Sequence, residues 1–106
     1  MKKDVKLVRD FIPRIIEEEG GACSYRHAAD THEHVHMLIL KMSEELEEFC
    51  DNPSYEEAAD LLEVVKGLCA VHGLSFEEVI SAAIEKWGLY GGFDHGIILE
   101  ATSESR

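Results

Sequence analysis

The stretch from Glu44 to Glu63 reads EELEEFCDNPSYEEAADLLE, and nine of its twenty residues are acidic. No Lys or Arg occurs between Met42 and Val65. Like charges three or four residues apart on a helix repel one another, so an acidic cluster among apolar residues needs a positive partner. A hard divalent cation such as Mg²⁺ is the best candidate, because it prefers oxygen ligands and accepts several carboxylates.

The spacing of the acids favours one shared site. Residues three apart lie on the same face of a helix, which pairs Glu45 with Glu48 and Glu57 with Asp60. Between the two pairs, residues 51–54 read DNPS, a sequence typical of a turn. In an antiparallel hairpin both pairs stand at matching heights from that turn, because a helix rises by about 1.5 Å per residue. The sequence therefore predicts a site of four carboxylates facing one another across the helix seam.

The remaining acids and the histidines fit a metal site less well. Glu63 lies one turn past Asp60, and whether it is an outer ligand of the metal stays open. His32 and His36 are one helical turn apart, a spacing that can bind a transition metal. No third ligand stands at motif spacing nearby, so a solvated surface is the favoured interpretation. Solvated positions are also predicted for Glu47, Asp51 and Glu56.

Length and charge limit the class of protein. A chain of 106 residues is expected to form one domain, spanning residues 1–106, and its formal net charge is −12. Such a charge disfavours binding to nucleic acid or to an anionic membrane surface, both of which need basic faces. Neither a signal peptide nor an apolar run of transmembrane length is visible. The three cysteines show no CxxC spacing and fit reduced thiols, so we expect a cytoplasmic protein.

Apolar periodicity and capping residues predict four helices. The third helix carries apolar residues around most of its circumference, except on the face with the acidic residues. In a small chain, such a helix suggests an oligomer. A short strand is suggested at residues 97–99, and the polar tail is expected from about residue 102. The predicted helices are Phe11–Glu19, Thr31–Cys50, Tyr55–His72 and Phe76–Trp87.

Three blocks, in order along nearly the whole chain, match a known pattern. Residues 6–13 read KLVRDFIP, and the acidic motifs follow at residues 44–48 and 57–60. The end carries Lys86, then Gly-Gly-Phe at residues 91–93, then Ile98-Leu99-Glu100. Together these blocks resemble the MazG-type all-α nucleoside triphosphate pyrophosphohydrolases, in particular their small phosphoribosyl-ATP-pyrophosphohydrolase-like branch.

The resemblance implies a fold and an activity. The fold would be an all-α helical bundle with at most short peripheral strands, assembled as a homodimer or homotetramer. The activity would be Mg²⁺-dependent hydrolysis of a nucleoside or deoxynucleoside triphosphate, non-standard nucleotides included, to the monophosphate and pyrophosphate. Mn²⁺ could substitute for Mg²⁺.

The resemblance also assigns roles to residues. It gives Glu45, Glu48, Glu57 and Asp60 as metal ligands. Glu44 would either support the metal ligands from behind or help to orient the attacking water. As a mechanistic hypothesis of our own, Glu44 or Glu48 acts as the catalytic base. Substrate binding would fall to three basic residues that offset phosphate charge. These are Lys6, Arg9 and Lys86.

Two positions depart from the pattern and keep alternatives open. Phe11 stands where the branch commonly has a basic residue, and Tyr90 stands where an Arg often precedes Gly-Gly-Phe. The connection between the acidic motifs is also short. Besides nucleotide pyrophosphohydrolysis, the chain could hydrolyse phosphoribosyl-ATP. It could also be a non-catalytic helical oligomer that binds a nucleotide or a partner, an alternative that the two missing cations favour.

Overall fold

The computed structural model describes residues 5–103, and this part of the chain contains four α-helices and no strand. The expectation of an all-α fold is confirmed. Residues 97–99 are irregular, since an isolated extended run has no ladder partner within the described part of the chain. The polar tail falls outside the described residues from position 104. The helices are α1 (Ile12–Glu18), α2 (Thr31–Asp51), α3 (Tyr55–Val71) and α4 (Phe76–Tyr90).

Helix boundaries agree with the predicted ones to within one residue, except at the end of α4. That helix was expected to stop at Trp87, before Gly88, but it continues to Tyr90. A glycine inside a helix costs only about 1 kcal/mol relative to alanine, so Gly88 does not end it. The helix ends at Gly91, whose φ of 79° lies in the left-handed region that favours glycine.

The chain divides into two compact units, described over residues 5–74 and 75–103. Unit 1 contains α1, α2 and α3, and unit 2 contains α4 and the irregular segment after it. The single domain expected over residues 1–106 remains a prediction.

Side-chain caps fix the starts of the long helices. The Asp30 carboxylate accepts a hydrogen bond from the Glu33 N–H at 2.8 Å, and the Ser54 hydroxyl accepts one from the Glu57 N–H at 3.1 Å. Ser75 caps α4 in the same way. Each cap satisfies a backbone donor that the first helical turn cannot pair internally. The three longer helices therefore each begin at a side-chain cap, and Ser54 sets where α3 begins.

The segment before α2 is held by Arg26. Its guanidinium donates two hydrogen bonds of 2.8 Å to the two carboxylate oxygens of Glu33. The Ala29 N–H donates a third, at 2.7 Å. The bond from Arg26 and then the bond from Ala29 lower the pKa of Glu33 to about 2. Glu33 is thus fully ionised at neutral pH and ties the preceding loop to the first turn of α2.

The packing of unit 1 is centred on α2 against α3. Leu38 on α2 faces Gly67 on α3, where an added Cβ would lie 3.0 Å from the Leu38 Cδ2 atom. Further along α2, Glu45 faces Asp60. Because residue numbers rise on one helix as they fall on the other, the two helices run antiparallel. The buried apolar residues of the described chain are Leu38, Val64 and Cys69.

We expect Ser54→Ala to destabilise the fold by about 1 kcal/mol, because α3 loses the side-chain acceptor at its N-terminus. Ser43→Ala is the matched control, since Ser43 is an exposed residue within α2 and alanine is the better helix former there. Urea unfolding followed by circular dichroism measures both. Equal stability of the two variants would contradict a structural role for the Ser54 cap.

Candidate metal centre

Three carboxylates meet across the α2–α3 seam. Glu45 comes from α2, and Glu57 and Asp60 come from the first two turns of α3. One oxygen from each lies within 4.8 Å of the other two. The Ser54 cap starts α3 three residues before Glu57, and the i,i+3 spacing places Asp60 on the same face. Three of the four predicted metal ligands are thus brought together in the hairpin.

The burial of these carboxylates distinguishes the cluster from an ordinary acidic surface. Glu45 is only 5% exposed. The Oε2 atoms of Glu45 and Glu57 are both buried and have no hydrogen-bond partner within the described structure. A buried carboxylate oxygen without a partner is costly, because it loses hydration and gains nothing in return. A divalent cation with oxygen preference would satisfy both atoms, so the donor set fits Mg²⁺ or Mn²⁺.

Glu48 stands beside the cluster rather than in it. Its side chain is exposed, and it does not belong to the group of three close oxygens. Its pKa is raised above the ordinary glutamate value, first by the negative charge of Glu45, then by loss of hydration and by the charges of Glu57 and Glu44. The negative charges of the cluster therefore act on Glu48, the fourth predicted ligand, although its carboxylate is not one of the three that lie close together.

Lys41 supplies a positive charge that the sequence interpretation missed. Its Nζ atom lies 3.2 Å from the Glu45 Oε1 atom and 3.5 Å from the Glu44 Oε1 atom. Burial alone would lower the pKa of Lys41, but the hydrogen bond to Glu45 and the charges of both glutamates outweigh it and raise the pKa. Lys41 lies one residue before the stretch from Met42 to Val65, which contains no Lys or Arg. Its i,i+4 spacing to Glu45 was the available signal.

Arg9 provides a second positive charge, from the N-terminal segment. Its Nη2 atom donates a 2.7 Å hydrogen bond to the Asp60 Oδ1 atom, and its Nη1 atom lies 3.9 Å from the Glu63 Oε1 atom. Arg9, predicted to bind substrate, is therefore at the edge of the carboxylate cluster. Glu63, left open as an outer ligand, is near the same guanidinium.

The other predicted site residues occupy different places. Lys6 lines a cleft together with Lys41 and Glu44. Lys86 belongs to unit 2, where it lines a separate cavity of about 390 Å³ with Trp87 and the Gly-Gly-Phe turn at residues 91–93. Its predicted role toward the substrate stays a prediction.

Phe11, at the first departure from the family pattern, is exposed and carries the Arg14 guanidinium 4.7 Å from its ring centroid. That cation–π contact brings a neighbouring positive charge to a position that is apolar in this chain. The histidines show no clustering with other ligands in the described residues. The solvated interpretation of His32 and His36 agrees with their exposure.

Comparisons with known proteins give no match for this chain, whether with protein families, curated proteins or solved structures. Within the described residues, no single helix is long and apolar enough to span a membrane. Only α3 and α4 counted together, as a broken span, reach that length and composition.

We expect millimolar Mg²⁺ to raise the melting temperature of the wild-type protein, because a ligand that binds only the folded state stabilises it. Glu45→Gln should abolish that rise, since it removes the buried ligand oxygen. Glu47→Gln is the matched control, because Glu47 is exposed on the same helix and outside the cluster. Thermal unfolding with Mg²⁺ and with chelator gives the readout. An unchanged shift in Glu45→Gln would place the cation elsewhere.

Proposed function

We propose that the protein is a Mg²⁺-dependent nucleotide pyrophosphohydrolase that converts a nucleoside or deoxynucleoside triphosphate to its monophosphate and pyrophosphate. The observation that carries this proposal is the set of three clustered carboxylates, two of whose oxygens are buried without a hydrogen-bond partner among the described residues. The resemblance of the three sequence blocks to MazG-type enzymes supports the same reaction. The strong negative charge of the chain adds support, since a triphosphate would approach it only through cations.

Within this proposal, Glu45, Glu57 and Asp60 hold the metal ion. Bound there, Mg²⁺ would supply charge neutralisation for the phosphates and acidify water. Glu48 accepts the proton of the attacking water on a carboxylate oxygen, the water oxygen bonds to the α-phosphorus, and the bridging P–O bond to the β-phosphate breaks. The electron pair of that bond leaves with pyrophosphate.

Glu48 is the better base of the two candidates. Glu44 is an ion-pair partner of Lys41, with the Lys41 Nζ atom 3.5 Å from the Glu44 Oε1 atom. Glu48 has the raised pKa, which makes its carboxylate more basic than an ordinary glutamate. Arg9 lies at the edge of the cluster, where it donates a hydrogen bond to Asp60. It would offset phosphate charge once a phosphate oxygen of the substrate replaces Asp60 as its hydrogen-bond acceptor.

One observation favours a second candidate, a nucleotide- or partner-binding module without turnover. Lys41 and Arg9 already contact two of the three clustered carboxylates, so part of the repulsion is relieved without a metal ion. In addition, Phe11 and Tyr90 stand where the resembled pattern commonly has basic residues. Both features would suit a site that retains its acidic residues but does not catalyse hydrolysis. Phosphoribosyl-ATP hydrolysis would use the same carboxylates and is separated from the first candidate by substrate alone.

The exposed apolar surface supports assembly into a homodimer or homotetramer. Three apolar residues are buried in the described structure, while many large ones are exposed on both units. Examples on the helices are Ile39, Leu40, Leu62, Ile84 and Trp87. Large exposed apolar areas on a small chain mark contact surfaces.

We expect sedimentation velocity at micromolar concentration to give the mass of a dimer or tetramer, because burying those side chains between chains is favourable. A dilution series then shows dissociation at low concentration. A folded monomer across the whole series would contradict the assembly.

The catalytic proposal is tested by measuring pyrophosphate release from a panel of standard and modified nucleoside triphosphates and phosphoribosyl-ATP, with Mg²⁺ and with chelator. We expect metal-dependent release from one or a few substrates. Glu48→Gln should lower kcat by roughly a hundredfold or more, since it removes the proton acceptor. Glu47→Gln should keep wild-type turnover. Wild-type activity in Glu48→Gln would remove Glu48 as the base, and no release from any substrate would favour the binding module.

A further inference from the structure

The two carboxylate oxygens of Glu45 have different surroundings. The Oε1 atom lies 3.2 Å from the Lys41 Nζ atom, while the Oε2 atom is buried and has no hydrogen-bond partner among the described residues. Because Glu45 as a whole is buried, water does not compete freely for either oxygen. The carboxylate is therefore divided into one oxygen that an ammonium group holds and one that is left for another ligand.

The ion pair between Lys41 and Glu45 is set up by the helix itself. The two residues are four apart on α2, a spacing at which side chains on one face of a helix meet. The Lys41 Nζ atom also lies 3.5 Å from the Glu44 Oε1 atom, and the Lys41 side chain is only 21% exposed. Two contacts and partial burial restrict the ammonium group, so Lys41 is a fixed neighbour of Glu45 rather than a mobile surface charge.

The number of oxygens that a carboxylate offers affects the choice between Mg²⁺ and Ca²⁺. Mg²⁺ is small and demands near-ideal octahedral geometry, which the narrow bite of a carboxylate bound through both oxygens would distort. Ca²⁺ is larger, takes about six to eight oxygens in a flexible arrangement, and accepts both oxygens of one carboxylate. A carboxylate with one oxygen already held therefore suits Mg²⁺ and denies Ca²⁺ an extra ligand.

We propose that Lys41 is a positioning residue that restricts Glu45 to one ligand oxygen, Oε2, and so makes the carboxylate cluster favour Mg²⁺ over Ca²⁺. The inference rests on the proposed function, because it concerns the same metal ion. Lys41 acts through Glu45 and contacts neither the metal nor the substrate. Its positive charge also weakens the binding of every divalent cation, so the ratio of the two affinities, and not either affinity alone, reports on the positioning.

The test is calorimetric titration of the full-length protein with Mg²⁺ and, separately, with Ca²⁺, which gives the ratio of the two dissociation constants. We expect the wild type to bind Mg²⁺ more tightly than Ca²⁺. Lys41→Met replaces the ammonium group by an apolar side chain of similar size, so that Glu45 can bind Ca²⁺ through both oxygens. The preference for Mg²⁺ should then fall by roughly tenfold or more, the size of effect that outer partners of metal ligands typically have on metal affinity.

Two further variants serve as controls. Lys41→Arg keeps a cationic donor four residues before Glu45 and should retain the wild-type ratio. Lys66→Met makes the same change of net charge at an exposed lysine of α3 that lies outside the cluster, and it should leave the ratio unchanged. If Lys41→Met does not fold, judged by circular dichroism, Lys41→Gln replaces it, because its uncharged amide ends short of the position of the Nζ atom.

The outcomes separate this inference from the proposed function. A folded Lys41→Met or Lys41→Gln protein with the wild-type ratio overturns the positioning role and leaves the enzyme proposal standing, even if both cations bind more tightly. Wild-type protein that binds Ca²⁺ at least as tightly as Mg²⁺ has the same meaning. Wild-type protein that binds neither cation overturns both proposals.

Discussion

The buried carboxylate of Glu45 is the constraint on which the rest of unit 1 depends. A negative charge that is 5% exposed is stable only if its surroundings compensate for lost hydration. Lys41, one turn earlier on the same helix, compensates at one oxygen, and the second oxygen is buried with no hydrogen-bond partner among residues 5–103. The two acids of α3 that lie opposite add to the electrostatic problem rather than solve it. The three carboxylates of the hairpin therefore form a candidate site for a cation.

The positive charges near the cluster come from outside the acidic stretch. Lys41 immediately precedes that stretch, and Arg9 reaches it from the N-terminal segment. Lys41 contacts Glu45 and Arg9 contacts Asp60, while the buried Oε2 atoms of Glu45 and Glu57 have no hydrogen-bond partner in the described part of the chain. This distribution reduces the net charge of the site and leaves its centre available. Under the proposed function, these basic groups would lie beside the polyphosphate of the substrate.

Local physics explains which parts of this arrangement could be predicted from the sequence. The i,i+3 spacing, the turn at residues 51–54 and the Ser54 cap are short-range features, and they are sufficient to bring Glu45, Glu57 and Asp60 together. The exposure of Glu48 depends on the rotation of α2 against α3, which the spacing does not specify. The end of α4 was misplaced because a glycine was read as a stop. The left-handed φ of Gly91 marks the actual end.

Longer-range contacts were beyond such reasoning. The pairing of Arg9 with Asp60 joins residues 51 positions apart, and no local sequence pattern predicts it. That separation has a kinetic consequence. The α2–α3 hairpin closes a short loop, whereas docking of the N-terminal segment closes a long one and loses more chain entropy. We therefore expect the acidic hairpin to assemble first during folding. The guanidinium would then be attracted to a cluster of negative charge that is already formed.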